Sequence, residues 1–418
     1  MGVALCLMAL KRQRPGSKYV IWSRVDQKSC FKAILTAGLE PVIMSLIKHG
    51  DELRTDTHSL EDIVNQHGGP DAICAVVTAT SVFAPRVADD VPAGDWWILF
   101  LFEFSCQSFH FTVAELCHKL NIPHVVNNAY GVQSTKCMHI LEEAGKREKN
   151  RRVDAFVQST DKNLMVPVGG SIIAGFDSDF VRKVAQNYPG RASSSPTIDV
   201  FITLMQMGTS GYKELMEERR ENYKILKGEM AKVAEKYGER VLETKNNPIS
   251  IAMTLANVGE PENAKSISEI GSMLFTRGVS GTRVVTGRDT KVIEGYTFKG
   301  IVKYFGGFPD FFCIAIHIWI LFPAWGSHWD KTEAPYLTAA AAIGMTRDDI
   351  ETFIRRLDKV LASSRSKGGG GGKPTAAEVG QAPTTTTPKT PTKVVPTIEV
   401  EKNGSASGSP GPKKLTYV

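Results

Sequence analysis

Short apolar runs, each bounded by polar or turn residues, recur through the first half of the chain at 19–22, 73–77, 124–126, 153–157 and 171–174. Runs of this length predict buried strands rather than helices. Between them, 114–120 and 138–144 have helix-like composition. Strands that alternate with helices predict a largely parallel sheet, buried on both faces. After residue 195 the period changes. Tyr212, Leu215, Met216, Tyr223, Leu226, Met230, Val233 and Tyr237 recur mostly at steps of three, four or seven, with Lys and Glu between them. That spacing predicts a long amphipathic helix, stopped by Gly238. Segments 247–255 and 281–285 and a closing helix over 346–361 complete a smaller α+β unit. The expected fold class is α/β, a mostly parallel sheet with helices on both faces plus this small unit. The expected division is a large domain over 1–205 and the long helix with the small domain over 206–363.

Residues 364–418 break the pattern with five consecutive glycines, a Thr run and repeated Pro and Lys. So few large apolar groups cannot offset the entropy of ordering, and the tail is expected to be disordered. It holds eight Lys or Arg against three Glu, so +5 of the net +6 charge belongs to it. The basic balance is therefore poor support for a nucleic-acid surface on the folded part. Cys6, Cys30, Cys74, Cys106, Cys117, Cys137 and Cys313 are scattered, without a CxxC pair or His partners in ligand spacing. They predict reduced, mostly buried thiols, a cytoplasmic setting and no metal site. The apolar 1–10 stretch precedes its basic residues, Lys11, Arg12 and Arg14, the reverse of a secretory signal.

Two segments fit neither period. Residues 96–111 and 305–325 hold four of the six Trp and ten of the nineteen Phe. The second carries Pro323 and His317 and has a shorter uncharged run than the ~20 apolar residues that span a bilayer. Both are expected to be insertions foreign to the domain rather than membrane spans.

Candidate chemistry concentrates in two places. In VDAFVQSTDKNLMVPVGG (153–170), a strand ends at Ser159 and Thr160 and delivers Lys162 onto a loop that Pro167, Gly169 and Gly170 turn into the next strand. A lysine at the mouth of a sheet can be desolvated and its pKa lowered, as Schiff-base formation requires; a solvated loop lysine is the plainer alternative. In HVVNNAYGVQ (124–133), Asn127 ends a strand and Ala129 follows two positions on. Pyridoxal-phosphate enzymes of the aminotransferase-like fold place a residue facing the pyridine nitrogen and a small residue against the ring at this spacing. Asn hydrogen-bonds that nitrogen but does not hold it protonated as Asp does, a weaker electron sink suited to loss of a good leaving group. An Asn-rich turn is the alternative.

Taken in order, IWSRVDQKSCFKAILTAGLEPV, DELRTD, SVFAPRV, IPHVVNNAYGVQSTKCMH, DAFVQSTDKNLMVPVGGSIIAGF, YPGRASSSP, NPISIAMTL, GSMLFTRGVSGTRVV and GYTFKG resemble the O-phosphoseryl-tRNA(Sec) selenium transferase family, the eukaryotic and archaeal selenocysteine synthases. The resemblance covers residues 1 to about 303 and 326–363, apart from the first aromatic-rich segment. It implies the pyridoxal-phosphate transferase fold (fold type I) and conversion of O-phosphoseryl-tRNA(Sec) to selenocysteinyl-tRNA(Sec) with selenophosphate, by β-elimination of phosphate and addition of selenium.

By the same resemblance, Lys162 corresponds to the lysine that binds pyridoxal 5'-phosphate, Asn127 to the residue at the ring nitrogen, and Ala129 to the one packed on the ring. Gln27, Lys28 and Ser29 line the cofactor pocket. Arg191 matches an arginine that grips the phosphate of phosphoserine, apt because its planar fork pairs with phosphate at two points. Arg277 matches a reader of the tRNA acceptor end, and Lys146 and Arg147 lie in a cluster that approaches the tRNA backbone. The family pattern places a long segment ahead of Met1, with part of the cofactor pocket and the helices of a homotetramer, and is interrupted at 91–112 and about 302–325. A truncated member is expected, which binds cofactor poorly, assembles poorly as a tetramer, aggregates when expressed and is inactive unless an upstream portion is restored; a non-catalytic tRNA-binding chain and a cysteine desulfurase- or decarboxylase-like enzyme are the alternatives.

Overall fold

The computed structural model describes residues 1–24, 27–89, 112–258, 264–286, 290–293, 295–299, 302–304 and 334–368. Elements in the first half are α1 (Gly2–Gln13), β1 (Tyr19–Trp22), α2 (Lys28–Thr36), β2 (Glu40–Ile43), β3 (Leu46–His49), β4 (Glu52–Thr55), α3 (Ser59–Gln66) and β5 (Ile73–Ala79). Then come α4 (Val113–Lys119), β6 (His124–Asn127), α5 (Thr135–Ala144), β7 (Ala155–Ser159), α6 (Thr160–Leu164), β8 (Ser171–Ala174) and α7 (Ser178–Gln186). The second half holds α8 (Ser195–Lys236), β9 (Ser250–Thr254), α9 (Ala264–Thr276), β10 (Arg283–Val285), β11 (Thr290–Ile293), β12 (Tyr296–Lys299), β13 (Val302–Tyr304), β14 (Tyr336–Ala340) and α10 (Arg347–Gly368).

Six strands form the main sheet in the order β2-β1-β5-β6-β7-β8. The first five run parallel, and β8 returns antiparallel on the edge. Every residue of β5 and β6 is buried, as expected for central strands covered on both faces. The edge strand β8 departs from that expectation, because an edge need be covered less, and its first two residues are exposed. The apolar N-terminal stretch is α1, whose Val3 to Leu10 face packs with Val20, Trp22, Phe31, Ile34 and Val77 in the largest core cluster. Close approach explains Gly2: a Cβ there would stand 2.8 Å from Val157 Cγ1.

The long helix starts earlier than its periodicity indicates, at Ser195, but is broken at Gly208, with φ 63° and ψ −178°. Only glycine adopts that conformation without strain, so the helix carrying the predicted apolar stripe begins after it. Leu226, Met230, Val233 and Tyr237 of that stripe pack against Ile267, Ile270 and Leu274 of α9 and Leu357, Val360 and Leu361 of α10. Gly238 follows the helix at φ 72°. Beneath these helices lies a four-stranded sheet, β13-β10-β14-β9, antiparallel throughout. The β3–β4 hairpin was not legible in the alternation. Both aromatic-rich segments, 96–111 and 305–325, lie outside the described residues, as does the tail from 369. Among the described residues no helix is long and apolar enough to cross a membrane, and no group of three or more His, Cys, Asp or Glu could hold a metal ion. The described cysteines, Cys6, Cys30, Cys74, Cys117 and Cys137, are free and buried.

A buried ion pair joins β5 to its surroundings. Arg86 donates to Asp89 and, at 3.1 Å, to Thr55 Oγ1, while Asp89 accepts from Ser23 Oγ at 2.6 Å and from the Ala79 N–H at 2.7 Å. Asp89→Ala strands a buried guanidinium, so it is expected to lower unfolding free energy by about 3–5 kcal/mol; urea denaturation measures this, and a loss below about 1 kcal/mol contradicts it.

His124 in β6 is fully buried, bonded to Thr78 Oγ1 at 2.7 Å and the Arg152 carbonyl at 2.9 Å, and burial pushes its pKa down to about 4. Its folded-state pKa lies below the unfolded one, so its contribution is complete above about pH 6.5 and is lost as pH falls toward 4. Stability is expected to decline across that window by up to about 1.4 kcal/mol per pH unit from this group alone. Chemical denaturation of His124→Gln should show a shallower pH dependence there; an unchanged slope contradicts the assignment.

Candidate active site

The carboxyl ends of β6 and β7 lie side by side, with Asn127 in register with Val157. In open α/β sheets this edge is where ligands bind. Beyond Ser159 the chain makes the single turn α6, then leaves it through Met165 in the left-handed conformation, φ 54°. That conformation is costly for a residue with a Cβ. The loop closes where the Thr160 N–H donates to the Gly170 carbonyl at 3.3 Å.

Lys162 stands on this turn. Its Nζ pairs with Asp161 Oδ2 at 2.8 Å, donates to Ser159 Oγ at 3.1 Å and lies 5.7 Å from the centre of the Tyr130 ring. The side chain is 32% exposed, so the expected desolvation is not found. A carboxylate and a hydroxyl orient the amine instead of burial.

Asn127 is 4% exposed. It donates to Gln27 Oε1 and to Cys30 Sγ, and accepts from the Ala129 N–H at 3.1 Å. Gln27 in turn reaches the Ser81 carbonyl at 3.5 Å, and Ser81 Oγ accepts from the Tyr130 N–H at 2.9 Å. Asn163 ties the two strand ends together, donating to the Ala129 carbonyl at 2.8 Å and the Ser159 carbonyl at 2.6 Å. Gln27, Asn127, Ala129 and Lys162, widely separated in sequence, thus belong to one connected set. Lys28 and Ser29 open α2 next to Gln27, and Ser29 is exposed.

Among the described residues, no hydrogen bond or ion pair links the other sequence-derived candidates to this set. Arg191 is exposed on the connection between α7 and α8, beside Gly190 at φ 89°. Arg277 is exposed at the end of α9 and bonds the Met273 carbonyl of its own helix at 3.0 Å. The 146–152 cluster is largely neutralised: Lys146 and Lys149 pair with Glu143, Arg151 with Glu115 and Glu143, and Arg152 with Asp154. The Lys146 hydrogen bond, helped by Lys149, pulls the Glu143 carboxyl down to about 2. Arg147 is looser, 56% exposed and 3.9 Å from Asp177.

Sequence reasoning missed Gln133 and Arg219. Gln133 Nε2 donates to the Lys162 carbonyl, while its Oε1 accepts from Arg219 Nε at 3.0 Å. Arg219, 3% exposed, also reaches the Gln133 carbonyl at 3.3 Å and the Pro248 carbonyl at 2.7 Å. Gln133 closes the HVVNNAYGVQ motif and could have been flagged there. Arg219 sits in the charged run EERRE, which reads as a solvated helix face.

A family model described as O-phosphoseryl-tRNA(Sec) selenium transferase, SepSecS, matches residues 1–94 and 107–362. The chain belongs to that family. The Dictyostelium discoideum enzyme of that name is 39% identical over 376 residues, 86% of this chain and 69% of the relative. The chain therefore spans about two thirds of the length of the curated relatives it matches. A crystal structure of an archaeal O-phosphoseryl-tRNA(Sec) selenium transferase superposes with TM-score 0.64 at 24% identity, over 86% of this chain and 68% of that one. Oryza sativa TDC, solved with PLP and tryptamine, follows at TM-score 0.55 and 12% identity, over 87% of this chain and 66% of that one. The fold of this SepSecS family member is that of pyridoxal-phosphate-dependent transferases of fold type I.

Arg219→Met keeps the bulk of the side chain but leaves the Gln133 and Pro248 carbonyls without their donor. It is expected to lower unfolding free energy by about 2–3 kcal/mol, read from the urea midpoint at constant m-value; a change within 0.5 kcal/mol, the order typical of exposed surface substitutions, refutes the bridging role.

Proposed function

We propose that this chain replaces the phosphate of O-phosphoseryl-tRNA(Sec) with selenium, with pyridoxal 5'-phosphate held by Lys162 and selenophosphate as the selenium donor. The observation that carries the reading is the convergence of Lys162 and Asn127 at adjacent strand ends in a chain that matches the family over both halves of its fold. The residues present fit the cofactor. Thr160 Oγ1 and Asn163 Oδ1, on either side of Lys162, are buried without a hydrogen-bond partner among the described residues. Gly170 holds space there, since a Cβ would stand 2.6 Å from Thr160 Oγ1. A ligand with its own polar groups supplies what these atoms lack.

When bound, pyridoxal phosphate supplies the electron sink that makes the substrate α-proton removable. The protein's part follows from its own geometry. Asp161 and Ser159 aim the Lys162 amine, which takes the α-proton once it is free of the cofactor. Ala129, without a large side chain, would leave room for the ring, and Asn127 would be the residue to hold its nitrogen. Arg191 grips the leaving phosphate, its exposed fork open for two-point pairing. Arg277, Arg147 and Lys146 meet the tRNA; Arg147 is the freer of the last two because Lys146 is held by Glu143. A cytoplasmic setting belongs to the same reading. The ordered match over 1–94 and 107–362 supports it over a non-catalytic tRNA-binding chain or a desulfurase-like enzyme.

Borohydride reduction in the presence of pyridoxal phosphate is expected to label Lys162 alone, and Lys162→Ala to lose both the label and phosphate release from phosphoseryl-tRNA(Sec). Label on another lysine, or a variant indistinguishable from the parent, contradicts the assignment. Arg191→Ala is expected to raise KM for phosphoseryl-tRNA(Sec) roughly 10- to 100-fold, as loss of a charge-assisted contact does, with labelling intact; an unchanged KM removes Arg191 from the site.

A further inference from the structure

Asn127 ends β6 with every polar atom of its amide constrained. Its Oδ1 accepts from the Ala129 N–H at 3.1 Å, and its Nδ2 donates to Gln27 Oε1 and to Cys30 Sγ, the latter at 2.9 Å. Backbone groups fix this orientation from both ends. Exchanging the Asn127 oxygen and nitrogen would set a donor against the Ala129 N–H. Gln27 is held the same way, because its Nε2 donates to the Ser81 carbonyl at 3.5 Å and so turns Oε1 toward Asn127. Cys30 is buried, which pushes its thiol up to about 11 and leaves a neutral sulfur as the acceptor. A primary amide has two N–H donors and a carbonyl with two lone pairs. Both donors of Asn127 are engaged, and among the described residues one lone pair is not.

We infer that Gln27 and Cys30 are positioning residues that lock the Asn127 amide so that it offers a ligand ring only a hydrogen-bond acceptor, and that the site therefore selects the ring whose nitrogen carries a proton. This rests on the reading that places a pyridine ring beside Asn127, and deepens it. An amide free to turn serves either form of the ring; this one does not. The consequence reverses the expectation drawn from residue type alone, because the locked carbonyl favours the cationic ring, the stronger electron sink.

The test uses pyridoxamine 5'-phosphate labelled with 15N at the ring nitrogen, which lacks the aldehyde and so binds without a covalent link to Lys162. The full chain is saturated with it at a pH where the free compound's ring is largely unprotonated, and the 15N resonance is recorded. The expected bound signal lies in the pyridinium region. The double variant Gln27→Leu/Cys30→Ala should move it toward the neutral-pyridine region, and Asn127→Asp, which keeps an acceptor, should leave it in place. A wild-type signal in the neutral region, a double variant with the wild-type signal, or no bound signal overturns the inference. Borohydride mapping of Lys162, run in parallel with pyridoxal phosphate, reports separately on the covalent assignment. A pyridinium signal with no label at Lys162 sustains the Asn127 inference while sinking that assignment; label at Lys162 with a neutral ring does the reverse.

Discussion

The parallel pairing of β6 with β7 is the constraint on which the site depends. Neither Asn127 nor Lys162 is placed by its own side-chain contacts first. Each is carried to the same sheet edge because buried β-branched residues, Val125 and Val126 on one strand and Val157 on the other, hold the strands in register. A slip of one residue would reverse the faces of every side chain beyond it. Asn163 then staples the two strand ends through backbone carbonyls, and Gln133 with Arg219 ties the lysine turn to the Pro248 segment leading into the second sheet.

That bridging gives the turn a rigidity its length would not. Five residues of helix are too few to hold themselves in water, and this turn ends on a left-handed methionine. It persists because its carbonyls are claimed by side chains from other elements. The amine is left partly exposed and paired with Asp161, an arrangement suited to a group that must exchange one partner for another during a reaction. A deeply buried amine would be harder to release and to reload.

Much of this was legible in the sequence. The strand runs at 19–22, 73–77 and 124–126 lie where short, mostly buried strands lie, the run at 171–174 is a strand but not a buried one, and Gly238 ends the long helix as its position implied. Periodicity reports burial, so it located what packs. It failed where structure rests on other causes: the β3–β4 hairpin is mostly polar on one face, β8 gains its antiparallel edge from a loop, and the break at Gly208 depends on one residue's freedom. At the site, residue type singled out Lys162 and Asn127. Of the supporting set, Gln133 lay within a motif already singled out, whereas Cys30, Ser81 and Arg219 were invisible because nothing in a linear chain shows which polar groups meet. The ion pairs of the basic cluster at 146–152 were hidden for the same reason, since its acidic partners Glu115, Glu143 and Asp154 are brought to it by the fold.

The most direct test of the account is a crystal structure of the chain after its lysine has been reduced onto pyridoxal phosphate. The ring is expected to lie against Ala129, with its nitrogen within hydrogen-bond distance of Asn127 Oδ1 and its phosphate toward Thr160. A ring attached at Lys162 but turned to solvent, with Asn127 still bonded only to Gln27, Cys30 and Ala129, would contradict the claim that adjacent strand ends build the site.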